Sequence, residues 1–429
     1  MSEFRVTRTR LATVAGFYAL GGMAVLIYVL QLQYTNSYAG FVPLDFSMFK
    51  VAIALFLGAA IGLTIPSNAS RPLDMFIVIY AIFVLASFVF FRGVATDVGN
   101  GEYLFQVGLL SLPYVGALLL QRVRWSLEVP FALKPQLLLV VAISIVALAV
   151  VFAVAGVGDV GGLSIDDAYE RRMVGREVFQ AGSLLSYLVA MAMNGLNPFL
   201  AFWAGLRNRK WLFALPILFG LLFFYSLGVK APTAMVVLSL VVGMLARRGR
   251  IGGVFMAIFF ICAALFVVFL VEYIATGYSQ VAEFFFRRVF VIPGFLVQYF
   301  MTFMFDSHGF FWSAWGGLND SMPVTFVIGE VFLGNAQTNA NTNAFVYALA
   351  DGGYPAYIAV VVLVLAFFKI LDALYESTES LGYLYIAFLY SLLIVEQAAT
   401  TAALSSGVAL LFGFVVLSGK EWARSPRAA

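Results

Sequence analysis

Residues 275–353 read ATGYSQVAEFFFRRVFVIPGFLVQYFMTFMFDSHGFFWSAWGGLNDSMPVTFVIGEVFLGNAQTNANTNAFVYALADGG. This is the longest stretch that departs from plain apolar helix. It carries Arg287, Arg288, Asp306, His308, Asp320, Glu330, the run Asn339 to Asn343 and Asp351. Pro293, Gly309, Gly316, Gly317, Pro323, Gly329 and Gly334 interrupt it. A bilayer protein keeps polar and irregular backbone where water or protein can satisfy it. The stretch therefore reads as a folded cap outside the membrane, with chemistry in or under it.

The sequence around it is membrane helix. The chain has 429 residues, of which 63% are hydrophobic and 11% charged. A soluble domain cannot hide that much apolar surface, so the fold class is an all-α polytopic membrane protein. Apolar windows recur about twelve times, at 11–30, 49–65, 73–91, 103–120, 136–156, 182–206, 211–228, 231–246, 253–274, 354–371, 383–399 and 401–417. The first window is too long for a cleaved signal and reads as a retained helix. Cys262 is the single cysteine, which excludes an intrachain disulfide and a cysteine metal site. Nothing in the charge pattern suggests nucleic acid.

Basic residues set the orientation. With a cytoplasmic N-terminus, 17 of the 25 Lys and Arg fall in cytoplasmic connections, as the positive-inside rule requires. Both termini are then cytoplasmic. Lys50, Arg92, Arg171, Arg172, Arg176, Lys230, Arg287 and Arg288 remain on the outer side, against the bias. Three regions follow: a transmembrane bundle at 1–274 with an arginine-bearing outer loop at 157–181, the cap loop at 275–353 with re-entrant or interfacial helices, and C-terminal transmembrane helices at 354–429. No internal repeat of the kind found in many transporters is visible.

The outer loop begins with a glycine-rich turn. Ser164 and Asp167 then have capping-box spacing, so a helix is expected from about Ile165. It places Arg172 and Arg176 at i and i+4 on one face, while Arg171 stands four after Asp167. One reading is a solvated amphipathic helix with internal ion pairs. The other is a two-pronged anion site, since guanidinium groups bind phosphate bidentately. Lys230, before Pro232, is either a snorkelling lysine or a further cation for that anion. Arg287 and Arg288, next to a run of phenylalanines, fit a headgroup-facing segment or a lid over a lipid-linked phosphate. The run Val289 to Phe305, broken by Pro293 and Gly294, lies along the membrane or dips into it rather than crossing.

His308 is the only histidine and neighbours Asp306. It is a turn residue or a proton carrier. Glu330 is a capped acid or a general base. The asparagines of NANTN (Asn339, Asn341, Asn343) cap the following helix, and their amides also suit sugar hydroxyls. Gly58 to Gly62 matches a GxxxG packing motif. Glu396 and Gln397, inside an apolar run, should face the protein interior.

Two segments together carry a resemblance. Asn339 to Ala356 (NANTNAFVYALADGGYPA), preceded by Pro323 to Gly334 (PVTFVIGEVFLG), resembles the late-loop signature of Wzy-type O-antigen repeat-unit polymerases. SLGVKAPTAM around Lys230 is similar to that family's serine–lysine segment, with Gly228 and Val229 intervening, and YERRMVGRE to its arginine-bearing loop. The resemblance implies a GT-C-like, inverting glycosyltransferase of the bacterial inner membrane, active on the periplasmic face. It would move a growing polysaccharide from polyprenyl diphosphate onto an incoming undecaprenyl-diphosphate-linked oligosaccharide, with no metal or other cofactor and with a Wzz-type chain-length co-polymerase as partner. Carried onto this sequence, Arg171, Arg172, Arg176, Lys230, Arg287 and Arg288 would hold the diphosphate, with Arg172 acting in catalysis. Glu330, His308 or Asp351 would take the proton, and Asn339, Asn341 and Asn343 would bind sugar. An O-antigen ligase, using His308, Arg172 and Arg287, and a polysaccharide or lipid transporter are the alternatives.

Overall fold

The structure, a computed structural model, describes residues 8–37, 40–129, 133–157, 165–179, 182–306 and 323–418. These residues form helices and no strand, with one isolated antiparallel bridge between Phe46 and Ala95. Eight helices are long and apolar enough to cross a membrane: α1 (Arg8–Thr35), α3 (Pro72–Arg92), α4 (Asn100–Leu120), α5 (Pro135–Val157), α7 (Leu184–Arg207), α10 (Ile251–Thr276), α11 (Ala282–Phe305) and α13 (Ala344–Thr378). Shorter apolar helices are α2 (Met48–Thr64), α8 (Trp211–Leu227), α9 (Ala231–Arg247), α12 (Val324–Leu333), α14 (Leu381–Ile394) and α15 (Val408–Ser418). A polar helix, α6 (Ile165–Val178), stands between α5 and α7. The chain is thus an all-helical, polytopic, membrane-embedded protein. Helix fills most of each of the twelve apolar windows read from the sequence.

The helices group into two compact units. The first holds residues 1–124, 252–369 and 391–399. Its GxxxG pair packs helices closely. A Cβ on Gly62 would lie 2.8 Å from Val14 Cα of α1, and one on Gly58 would lie 2.4 Å from the Phe90 ring of α3. Bare backbone at these positions lets α1, α2 and α3 approach. The α1–α2 and α3–α4 connections meet at one end of the unit. Ser47 N–H donates to Val94 O (3.1 Å) and Thr96 N–H to Asp45 O (2.7 Å). The Lys50 ammonium, 1% exposed, donates to the carbonyls of Ala95 and Val98 and fixes the second connection from below.

Helix α11 is long enough to span a bilayer, yet its contacts run across helix ends. Glu283 bonds Thr35 and Asn36 at the end of α1. The Phe290 carbonyl accepts from Ser87, and Phe295 lies under Arg92 at the end of α3. Gln298 donates to Glu102 at the start of α4. All three ends belong to the face that carries the paired connections. A Cβ on Gly294 would sit 2.9 Å from Ser87 Oγ, so glycine permits the close crossing of α3.

After α12 the chain doubles back. Ala340 N–H donates to Thr325 O (3.0 Å), and a Cβ on Gly329 would meet Thr338 O at 2.1 Å. The next residues enter the unit's interior. The Phe345 ring packs on Tyr80 (centroids 5.5 Å apart), whose hydroxyl donates to Leu110 O near the middle of α4. Helix α13, expected from residue 354, begins ten residues earlier and breaks at Gly352 and Gly353. Gly353 has φ 65° and ψ −162°, a combination open essentially to glycine alone. Beyond the break α13 runs parallel to α4. Tyr357 bonds Leu109 O, Leu365 fills the space over Gly116, and Lys369 bonds Leu120 O and Val123 O. So part of the expected cap is folded into the helical unit, not held outside it.

The second unit holds residues 125–251, 370–390 and 400–429. Helices α7 and α9 cross in direct backbone contact. A Cβ on Gly205 would lie 2.5 Å from Leu240 O, and one on Gly243 2.2 Å from Phe202 O. With Ala201 and Ser239 one turn earlier, both helices present small residues four apart. Tyr385 of α14 stacks on Phe202 (4.2 Å) and shares a hydrogen bond with Ser239 (2.9 Å), closing the core.

Candidate functional site

Helix α6 forms where its capping pattern predicts it, from Ile165 to Val178. It packs on the C-terminal end of α8. A Cβ on Gly175 would lie 3.1 Å from Leu227, and the Arg171 guanidinium sits 5.9 Å from the Tyr225 ring centroid. Arg171 is 2% exposed, so it anchors the helix rather than facing solvent. Arg172 and Arg176 are exposed. Lys230, also exposed, stands five residues beyond Tyr225, after a left-handed Gly228 that ends α8. The second unit thus gathers Arg172, Arg176 and Lys230 around one helix end. Arg171, grouped with them by sequence, is buried beside Tyr225.

The remaining candidates belong to the first unit. Arg287 is committed locally: its Nε lies 3.3 Å from Glu283 Oε2, and Nη1 donates to Asn36 Oδ1. Glu283, 7% exposed, also accepts from Thr35 (2.5 Å) and Asn36 (3.1 Å). This network ties α11 to the end of α1. Arg288 is exposed and within electrostatic reach of Glu396. Glu396 and Gln397 lie in a non-helical break after α14, not inside a helix, and Glu396 is exposed. His308 and Asp320 lie outside the described residues.

Asn343 caps the first turn of α13, its Oδ1 accepting from the N–H groups of Phe345 (3.2 Å) and Val346 (3.1 Å). Its side chain is buried, whereas Asn339 and Asn341 are exposed. Glu330 is exposed on α12. Asp351 is 2% exposed and immediately precedes the glycine break in α13. A buried cap, a buried acid and the backbone break thus fall within eleven residues, Asn343 to Gly353.

One further group escaped the reading of the sequence. The connection at 93–99 is held by the buried cations Lys50 and Arg92. Arg92 binds Asp97 through Nη1–Oδ1 (2.8 Å) and Nη2–Oδ2, with its guanidinium 4.8 Å from the Phe295 ring centroid. That pairing holds the Asp97 carboxyl below the ordinary aspartate range. Next to it opens a cleft of about 530 Å³, lined by Asp97, Glu102, Phe105, Gln298, Thr302 and Phe305 with Gly101. No motif marks these residues. Only the packing of α11 on the start of α4 brings Gln298 and Thr302 to Asp97 and Glu102. Comparison of the chain with protein-family models, with characterised proteins and with solved structures gave no match.

Proposed function

We propose that the protein is an O-antigen polymerase of the Wzy type, a GT-C-like inverting glycosyltransferase with about twelve spans, working on the periplasmic face of the bacterial inner membrane. The observation that carries the reading is the setting of α6. Buried Arg171 and Gly175 fix it to the end of α8, and this leaves exposed Arg172 and Arg176 one turn apart, near Lys230 in the fold. Paired guanidinium groups and an ammonium suit a diphosphate.

The chemistry is one displacement. A hydroxyl of the incoming lipid-linked repeat unit attacks the anomeric carbon of the growing chain. The bond from that carbon to the diphosphate oxygen breaks, and polyprenyl diphosphate leaves with the electron pair. Negative charge grows on the departing oxygen, where Arg172, Arg176 and Lys230 oppose it. The hydroxyl proton passes to a carboxylate. Undecaprenyl-diphosphate-linked oligosaccharide is the substrate in both roles, and a Wzz-type co-polymerase sets chain length.

The test is the double variant Arg172→Ala/Arg176→Ala, with membrane expression verified. Loss of long O-chains, with a single repeat still attached to core, supports polymerase action. Polymer of normal length from the double variant removes the clamp. Loss of every O-chain on deletion of the protein assigns it instead as a ligase.

A further inference from the structure

The cleft beside Asp97 has an unusual polar balance. Glu102 Oε1 accepts from both Gln106 Nε2 (2.7 Å) and Gln298 Nε2 (3.1 Å), and Gln298 Nε2 also reaches Thr302 Oγ1 (3.1 Å). Gly99 N–H donates to Glu102 Oε2 (3.3 Å). Both glutamines spend their donors on this network. The Oε1 atoms of Gln106 and Gln298 are buried and have no hydrogen-bond partner among the described residues. Gln298 is 6% exposed and lines the cleft. A buried amide oxygen without a donor is costly, so the network around Glu102 is short of donors, and of its two unpaired oxygens only that of Gln298 belongs to a residue lining the cleft.

The walls add two constraints. Phe105 and Phe305 are exposed, with ring centroids 5.6 Å apart and planes tilted by 57°. They offer an apolar face of the size of a sugar ring. Among the described residues two carboxylates and no cation line the cleft, and of the two Asp97 is already paired with Arg92. A carboxylated or phosphorylated ligand meets repulsion there, whereas hydroxyl or ammonium groups meet acceptors.

We propose that this cleft is a saccharide subsite that takes a neutral or amino-bearing sugar ring and excludes an anionic one. The inference rests on the polymerase reading for the role of the sugar as part of a repeat unit. The binding itself is carried by the cleft. It also divides labour within the protein: anionic groups belong at α6, and uncharged or basic sugars belong here.

Saturation-transfer NMR on the purified full-length protein in nanodiscs tests this. The probes are maltotriose, a glucosamine trimer at mildly acidic pH and a galacturonic acid trimer. The expected order is glucosamine trimer tightest, maltotriose next and galacturonic acid trimer without signal. Phe305→Ala should weaken the first two about tenfold, the scale of one aromatic contact. Glu102→Gln should weaken the glucosamine trimer about tenfold and leave maltotriose within a few fold. Phe105→Ala replaces it should Glu102→Gln fail to fold, with the expectation set for Phe305→Ala. Equal binding of the galacturonic acid trimer, no binding of any probe, or folded variants that bind as the parent does would each overturn the subsite. Sugar binding that follows this pattern in a protein that makes no polymer keeps the subsite and removes the polymerase. A normal polymer ladder from variants with unchanged sugar binding does the reverse.

Discussion

Arg92 grips Asp97 with both ends of its guanidinium while lying over the face of Phe295. One buried side chain thus couples the 93–99 connection to α11. Replacing Asp97 by Ala leaves the 6%-exposed Arg92 without its carboxylate, at a cost of about 1–3 kcal/mol. Thermal unfolding of the detergent-solubilised protein should register the loss. Arg92→Met, which removes the charge and keeps the bulk, should cost less than Asp97→Ala.

The same pair sets a pH dependence. The folded Asp97 carboxyl titrates below its unfolded value of about 3.9. Its contribution to stability is therefore fully present above that value, and it is lost as pH falls through the lower folded value. Asp97→Asn should flatten this part of the acid unfolding profile and leave the neutral-pH slope unchanged. An unaltered acid profile in the variant would show that the pair does not hold the connection.

Gly353 turns α13 through φ 65° and ψ −162°. Gly353→Ala should cost about 1–3 kcal/mol, the usual penalty for such backbone outside glycine. Gly352, at φ −140°, carries no comparable backbone demand. The contrast is read from the yield of folded protein on gel filtration.

Gly205 and Gly243 leave no room for a methyl group where α7 crosses α9. Either glycine changed to Ala must push backbone against backbone, so a loss of about 1–3 kcal/mol is expected. Together the two changes should cost less than their sum, because the first already separates the helices. Unfolding of the single and double variants checks this.

Arg287 and Arg172 should behave differently. Arg287→Ala strands the nearly buried Glu283 and is expected to destabilise the protein by about 2–4 kcal/mol. Arg172→Ala, on an exposed face, should leave unfolding almost unchanged and reduce polymer formation at least tenfold. Thermal unfolding and polymer assays on the same preparations separate the two roles.

The membrane helices were legible because apolar length is a direct signal of span. The α6 helix was legible because Ser164 and Asp167 mark its start in the chain, and Asn343 announced a cap in the same way. What the sequence hid was partners. Pro293 and Gly294 mark Val289 to Phe305 as irregular, but only the structure shows that Ala282–Phe305 packs on Asn36, Ser87 and Glu102. Burial within α6 was also hidden. Arg171 and Arg172 are adjacent and chemically identical, and the position of Tyr225 decides which is enclosed. The Asp97–Glu102 cleft joins residues some two hundred positions from Gln298 and leaves no local pattern.

The most direct measurement is incubation of the purified protein with undecaprenyl-diphosphate-linked repeat units, with the products resolved on a gel. The account predicts a ladder of lengthening chains from the parent protein and little beyond the single unit from Arg172→Ala/Arg176→Ala. A ladder of equal length and rate from that folded double variant would contradict it.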